Sequence, residues 1–214
     1  MIYLYLHGFL SGPGSTKGEF LYRRFSESGK DLIRPDLNAG DFENLTISNQ
    51  FNVVQQQIKS SQERIVLIGS SLGGFIAALA AENISQVEKL ILIAPALDFV
   101  QRYFESLTSE ELAHWKESGY ISLYHYHFKA EKRLGYRMVE DAKKYRNLHF
   151  KRTLDTLIFH GIRDESVPYQ VSIEHLQRNP RSRLILYHSD HGLLDQLETM
   201  WRYILDFLEF SERI

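Results

Sequence analysis

Short apolar runs alternate along this chain with longer amphipathic stretches. The runs lie at residues 2–6, 31–34, 64–68, 89–94, 156–160 and 183–187, and the run at 31–34 is the weakest of them. Continuous apolar runs of this length are typical of β-strands that are buried on both faces. The pattern therefore predicts six short strands spread over the whole chain.

The stretches between these runs read as helices, at 16–28, 48–59, 72–83, 168–177 and 193–211. In the last of them apolar residues recur at helical spacing and give the helix one apolar face: Leu194, Leu197, Trp201, Ile204, Leu205 and Leu208. Strands that alternate with helices form a parallel sheet covered on both sides. We therefore expect an α/β fold with about six mostly parallel strands and helices on both faces.

One long segment breaks this alternation. Between residues 96 and 151 no strand of the main sheet is predicted, and about 55 residues is too long for a bare loop in a compact domain. The segment is rich in aromatic residues: Phe99, Tyr103, Phe104, Trp115, Tyr120, Tyr124, Tyr126 and Phe128. We predict a single domain over 1–214 with a mostly helical insertion at about 98–150, and a short extended piece at 120–128. Its aromatic residues would form a small core of their own, and some could line a ligand pocket.

Composition narrows the classes of partner. The chain has 214 residues, 43% of them hydrophobic and 24% charged, with a net charge of −2 and no cysteine. A net charge this close to zero gives no broad electrostatic attraction to nucleic acid or to an anionic membrane. The absence of cysteine excludes disulfides, thiolate catalysis and cysteine-based zinc sites. No apolar stretch approaches a secretory or membrane-spanning segment. We expect a cytoplasmic protein without a membrane span.

The first candidate for chemistry is a serine at a tight turn. Gly69-Ser70-Ser71-Leu72-Gly73 matches G-x-S-x-G between the strand at 64–68 and the small-residue helix at 72–83, which is the context of a nucleophile elbow. Ser71 is therefore the candidate nucleophile. The alternative is a glycine-rich turn that only packs strand on helix. The neighbouring Ser70 is the competing serine, and we expect a support role for it because it occupies an x position of the motif.

A serine needs a base, and the base needs an acid that orients it. Asp164 follows the strand at 156–160, and His191 follows the last strand, so both lie at strand carboxyl ends, where sites of open α/β sheets gather. We predict Asp164 as the acid and His191 as the base, in the chain order serine, acid, histidine. The alternatives to these two residues are Glu165, Asp190 and Asp98 as acids and His188 as base.

An oxyanion hole requires two N–H donors. Phe9 follows the first strand within His7-Gly8-Phe9-Leu10, and its backbone N–H is expected to meet the same point as that of Leu72. For His7 we favour a structural brace over a catalytic role.

Two other patterns are set aside. Residues 11–15 resemble a phosphate loop only loosely, because the G-K-[ST] ending is missing. His125 and His127 share one face of an extended segment, but no further metal ligands stand out. No metal or organic cofactor is therefore expected.

Four motifs together resemble the α/β-hydrolase superfamily, on its small single-domain esterase and acyl-hydrolase branch. They are the residues at 5–9, 69–74, 160–168 and 190–192. The resemblance implies a serine hydrolase that cleaves carboxylic esters or thioesters through an acyl-enzyme on Ser71. It also implies that the insertion occupies the cap position, and that the leading antiparallel strands of the family are missing, which leaves a reduced sheet.

The same residues are compatible with other functions. The same triad could serve acyl transfer or hydrolysis of a carbon–carbon bond, and the fold could also serve a non-catalytic ligand-binding protein. The expected partner is a small-molecule ester or thioester, and not nucleic acid. The chain could be a monomer or a homodimer.

Overall fold

The main sheet of the computed structural model has six parallel strands. The structure describes residues 1–59, 61–146 and 148–209. The strands are β1 (Ile2–Leu6), β2 (Leu32–Ile33), β3 (Ile65–Ser70), β4 (Val87–Ile93), β7 (Asp155–Gly161) and β8 (Ser182–Tyr187), in the order β2-β1-β3-β4-β7-β8. Every pairing is parallel, with Leu4 opposite Leu67 and Ile158 opposite Leu184. All six carboxyl ends therefore lie along the same edge of the sheet.

Helices cover both faces of this sheet. The helices of the main fold are α1 (Thr16–Glu27), α2 (Ile47–Ile58), α3 (Leu72–Asn83), α7 (Gln170–Arg178) and α8 (Leu197–Glu209). α1 and α8 bury Phe25 and Trp201 against one face, while α2 and α3 bury Val54 and Phe75 against the other. The last helix, α8, thus contributes the apolar face that its sequence pattern predicted. No helix in the described part of the chain is long and apolar enough to cross a membrane.

The insertion at 98–150 combines helices with a β-hairpin. It contains α4 (Phe99–Glu105), α5 (Ser109–Ser118), the antiparallel strands β5 (Tyr120–His125) and β6 (Ala130–Gly135), α6 (Arg137–Ala142) and a 3-10 turn (Lys143–Tyr145). α5 starts with a capping box between Thr108 and Glu111, a common way to satisfy the first N–H groups of a helix.

The core of the insertion is continuous with one face of the main sheet. Trp115, Leu134 and Met138 lie in the same buried cluster as residues of β1 and β3, and the Trp115 indole donates a hydrogen bond to the carbonyl of Leu134 at 3.0 Å. The aromatic-rich segment therefore does not form the separate small core that we expected.

The sequence predictions for the main sheet are confirmed to within two residues at every strand. In the insertion the extended piece at 120–128 corresponds to β5, but its partner β6 was not predicted. The sequence of β6, Ala-Glu-Lys-Arg-Leu-Gly, has four exposed residues before two buried ones, so it lacks the apolar signal of a strand. The helix predicted at 193–211 begins with a 3-10 turn (Leu194–Gln196), and residues 210–211 lie outside the described part.

Candidate active site

Ser71 occupies a strained turn between β3 and α3. Its backbone angles are φ 54° and ψ −121°, and a non-glycine residue held with positive φ costs on the order of 1–3 kcal/mol. Four backbone hydrogen bonds hold it there. The Ser71 N–H donates to Ile93 O at 3.0 Å, and the Ser71 carbonyl accepts from the N–H groups of Gly74, Phe75 and Ala96. Because the turn is fixed from both strand and helix, the strained conformation is maintained.

Close backbone contact at this turn leaves no room for side chains at two positions. A Cβ on Gly73 would lie 2.1 Å from Leu6 O, and a Cβ on Gly69 would lie 2.4 Å from Gly73 O. Both neighbours are backbone atoms and cannot swing away. The two glycines of the G-x-S-x-G motif are therefore required by packing at this turn.

Asp164 lies in the loop after β7 with its carboxylate fully buried. Its Oδ1 accepts hydrogen bonds from the N–H groups of Ser166 (2.9 Å) and Val167 (2.8 Å), and its Oδ2 accepts from two imidazoles. Burial opposes the charge, but hydrogen bonds from His160, His191 and the Val167 N–H outweigh it and hold the pKa of Asp164 well below its usual value. The carboxylate is therefore ionised at neutral pH.

His191 follows β8 and contacts Asp164 directly. His191 Nδ1 and Asp164 Oδ2 are 2.6 Å apart, and the His191 side chain is 28% exposed. Because Asp164 is an ionised acceptor, Nδ1 carries the proton and Nε2 is the unprotonated nitrogen. In the part of the chain that the structure describes, no hydrogen bond joins Ser71 Oγ to His191. The structure thus brings Asp164 and His191 together and sets Ser71 at the same sheet edge, without the serine–histidine bond.

His160 is a second imidazole on Asp164 that the sequence prediction missed. It is fully buried, and its Nε2 lies 3.2 Å from Asp164 Oδ2 and 3.0 Å from Val167 O. Since both are acceptors, Nε2 carries the proton, and Nδ1 accepts from the Ser172 hydroxyl at 2.7 Å. His160 therefore fixes the acid loop. Its only sequence signal is its place in His160-Gly161-x-x-Asp164.

Residues 7–12 form the loop after β1, called here loop 7–12, and this loop lies against Ser71. A Cβ on Gly8 would lie 3.8 Å from Ser71 Oγ. His7 is buried and braces the loop: its Nε2 accepts from Leu37 N at 3.0 Å, so Nδ1 carries the proton and donates to Gly8 O at 2.9 Å. This bond fixes the Gly8 carbonyl, and the N–H of Phe9 in the same planar peptide must point the opposite way.

The two predicted oxyanion donors have no hydrogen-bond partner among the described residues. Within the described residues, no hydrogen bond uses the backbone N–H of Phe9 or of Leu72. Leu72 is the first residue of α3, and the first N–H groups of a helix have no partner within it. They also carry the positive end of the helix dipole, which favours an anion.

Lys17, in the first turn of α1, is a further charged group at the site. Its Nζ donates to Gly192 O at 3.0 Å, next to His191. Burial lowers the pKa of Lys17 to about 8, while Asp164 and Asp190 raise it. The sequence prediction did not include Lys17, because a lysine early in a surface helix carries no motif.

The alternative acids have other surroundings. Glu165 is exposed. Asp190 Oδ1 accepts from the N–H groups of Gly192 and Leu193 and so closes the turn that carries His191. Asp98 faces Arg102 at 3.6 Å, and burial raises its pKa. Of these carboxylates, Asp164 is the one that contacts His191.

The alternative base and nucleophile are also placed elsewhere. His188 is exposed, and its backbone carbonyl accepts from Arg163. Ser70 is the last residue of β3 and is 3% exposed. A support role for Ser70 thus agrees with its burial, whereas Ser71 heads the helix.

A family model described as "Uncharacterised protein family (UPF0227)" matches residues 2–209. No curated protein matches the chain.

Solved structures are similar over nearly the whole chain. A candidate hydrolase from Agrobacterium vitis S4 is 26% identical with a TM-score of 0.83, covering 96% of this chain and 87% of its own. Mouse alpha/beta hydrolase domain-containing protein 10 is 25% identical with a TM-score of 0.81, and the match covers 98% of this chain and 90% of the mouse chain. An esterase from Exiguobacterium antarcticum, 21% identical with a TM-score of 0.64 and covering 98% and 92%, shares the fold. These neighbours confirm the predicted α/β-hydrolase fold, and they are hydrolases and esterases.

Proposed function

The chain belongs to the family UPF0227 and to the α/β-hydrolase superfamily, and from this premise we propose that it is a serine hydrolase of carboxylic esters or thioesters. One observation carries the proposal. The 2.6 Å contact between His191 Nδ1 and Asp164 Oδ2 lies at the sheet edge where the strained Ser71 heads α3. An imidazole oriented in this way by a buried carboxylate is what a serine nucleophile needs.

In the proposed reaction His191 Nε2 removes the Ser71 proton as Oγ attacks the acyl carbonyl carbon. The Oγ–carbon bond forms, and the carbonyl becomes a tetrahedral oxyanion. His191 then gives its proton to the departing alcohol or thiol, which leaves the acyl group on Ser71. A water molecule, deprotonated by His191, attacks the acyl-enzyme, and its proton returns to Ser71 as the acid leaves. Asp164 keeps the imidazole in the reactive tautomer and stabilises its charged form.

The oxyanion is proposed to bind the N–H groups of Phe9 and Leu72. Their lack of any other hydrogen-bond partner among the described residues supports this role. The His7 bond to Gly8 O would hold the Phe9 N–H in place before the substrate arrives. Donors that need no rearrangement stabilise a developing charge most effectively.

The missing serine–histidine bond is compatible with this mechanism. Catalytic hydrogen bonds in free enzymes are often long and shorten only when substrate binds. The Ser71 hydroxyl can rotate about the Cα–Cβ bond, and the His191 side chain is partly exposed. Both side chains can therefore move toward each other when substrate binds. We also propose that the 98–150 insertion acts as the cap over the site within a single domain.

Steady-state kinetics with acyl esters and thioesters of increasing chain length test this proposal. We expect turnover by the wild-type protein, and a fall of about 10⁴-fold or more in kcat for Ser71→Ala. Ser70→Ala is the matched control, because it removes the neighbouring hydroxyl and leaves the proposed triad intact. Full activity of Ser71→Ala would reject the mechanism.

The same assay separates hydrolysis from acyl transfer. Addition of small alcohols or amines should leave the rate of substrate loss and the yield of free acid unchanged if water is the natural acceptor. Diversion of most acyl groups to the added nucleophile would identify the protein as an acyltransferase that uses the same triad.

A further inference from the structure

The tip of the β5–β6 hairpin lies directly on loop 7–12. We call residues 125–128 the hairpin tip. The backbone N–H of Tyr126 donates to Leu10 O at 3.0 Å. The ring of His127 covers Gly12 so closely that a Cβ there would lie 2.4 Å from His127 Cγ. Two consecutive residues of the insertion thus hold two positions of the loop that carries the Phe9 N–H.

A buried histidine makes a third connection. His125 is fully buried, and its Nε2 lies 3.1 Å from Asn38 Oδ1. The amide nitrogen of Asn38 donates to Ser11 O at 3.0 Å and to Asp36 Oδ1 at 2.8 Å. Because the nitrogen of Asn38 is used as a donor, its oxygen is the acceptor and His125 Nε2 must donate. The chain of bonds from His125 through Asn38 therefore ends on the loop at Ser11.

Aromatic packing follows the same route. The ring of Phe42 stands edge-on to His125, with ring centroids 4.6 Å apart. The Phe42 ring also packs against the Phe9 ring, with centroids 6.1 Å apart. Burial lowers the pKa of His125 to about 4, so the ring is neutral and packs as an aromatic side chain at neutral pH. Leu10 is held with φ 57°. This conformation is strained, and it persists only where surrounding contacts offset its free-energy cost. The tip supplies such a contact at the Leu10 carbonyl.

We propose that the hairpin tip is a fixed clamp for the oxyanion loop, with His125 as its positioning residue. This rests on the proposed function, since it assigns loop 7–12 the oxyanion role. The insertion is then anchored at this end and does not open here as a lid. The base of the hairpin is anchored as well, because Gly135 N donates to Glu43 O at 2.7 Å.

Two substitutions of His125 separate its hydrogen bond from its bulk. His125→Leu fills a similar volume but cannot donate to Asn38 Oδ1. His125→Gln keeps a side-chain N–H donor and should rescue the function. Tyr124→Ser is the matched control, because Tyr124 precedes His125 on β5 and is 48% exposed. Thermal unfolding of each variant establishes that the comparison is made on folded protein.

Kinetics give the first measurement. Loss of one oxyanion donor costs roughly 10²–10³ in kcat, so a displaced but present Phe9 N–H should cost about 10-fold. We expect His125→Leu to lower kcat by about that factor with KM nearly unchanged, and His125→Gln and Tyr124→Ser to remain near wild type. Wild-type kcat in folded His125→Leu would overturn the clamp.

Amide hydrogen exchange gives a measurement that does not depend on catalysis. In His125→Leu, the peptide covering residues 7–12 should exchange faster than in the wild type, while peptides from β3 and α3 should not. Unchanged exchange in 7–12, or a uniform increase over the whole chain, would contradict the clamp. If the wild-type protein has no hydrolase activity but 7–12 still loosens selectively, the proposed function fails and the contact between tip and loop stands.

Discussion

Asp164 uses both of its carboxylate oxygens, and this sets the local chemistry of the site. Oδ1 is held by two backbone N–H groups and Oδ2 by two imidazoles. A buried carboxylate with four donors stays ionised because each donor favours the charged form. The charge in turn selects the tautomer of both His160 and His191. A single residue thus fixes the proton positions of the proposed base and of its support.

Replacement of Asp164 by asparagine tests this arrangement. Asp164→Asn retains the size of the side chain but offers an N–H or a neutral oxygen to His191 Nδ1, which favours the wrong tautomer. We expect kcat to fall by about 10⁴-fold, while Glu165→Gln, a change at the exposed neighbour, stays within about twofold. Equal losses in the two variants, measured on folded protein, would argue against Asp164 as the acid.

The residues at the site differ in how far the sequence alone could identify them. Ser71, Asp164 and His191 each follow a predicted strand, and their chain order matches a known arrangement, so motif and position made them the candidate triad. Lys17 and His125 contact their partners from distant elements, whereas His160 contacts Asp164 in the loop that directly follows its own strand. Their roles depend on how the loops after β1, β2, β7 and β8 pack together, and no local sequence pattern indicates that packing.

At the scale of elements, burial on both faces made the main sheet predictable. β3 and β4 are apolar almost throughout, because helices cover them on either side. In the hairpin of the insertion, β6 is not covered by helices along its length, and only its last two residues, Leu134 and Gly135, are buried. Its pairing with β5 is set by the turn between them and by contacts at its two ends, so hydrophobic periodicity could not reveal it.

At the scale of the whole molecule, the described residues form two buried clusters, one on each face of the sheet. Trp115 of the insertion lies in one cluster, and Trp201 of α8 lies in the other. The insertion therefore shares its core with β1, β3 and α3. We infer that it folds together with the main sheet, because its apolar residues have no separate core to support independent stability.

The two tryptophans provide a direct test, since the chain has no others. Trp201→Phe leaves Trp115 as the fluorescent reporter of the insertion, and Trp115→Phe leaves Trp201 as the reporter of the opposite face. In each variant we expect the urea midpoint from fluorescence to coincide with that from far-UV circular dichroism, as two-state unfolding requires. An earlier fluorescence transition in Trp201→Phe would show that the insertion unfolds by itself.

Ser71 is proposed to be a nucleophile that His191 activates. A fluorophosphonate probe tests it, because an activated serine displaces fluoride and forms a stable oxygen–phosphorus bond that peptide mass spectrometry can locate. We predict one label per chain on Ser71, retained in Ser70→Ala and His188→Ala and lost in His191→Ala. No label on the folded wild-type protein, a label on another residue, or labelling of Ser71 that is unaffected by His191→Ala would contradict the mechanism.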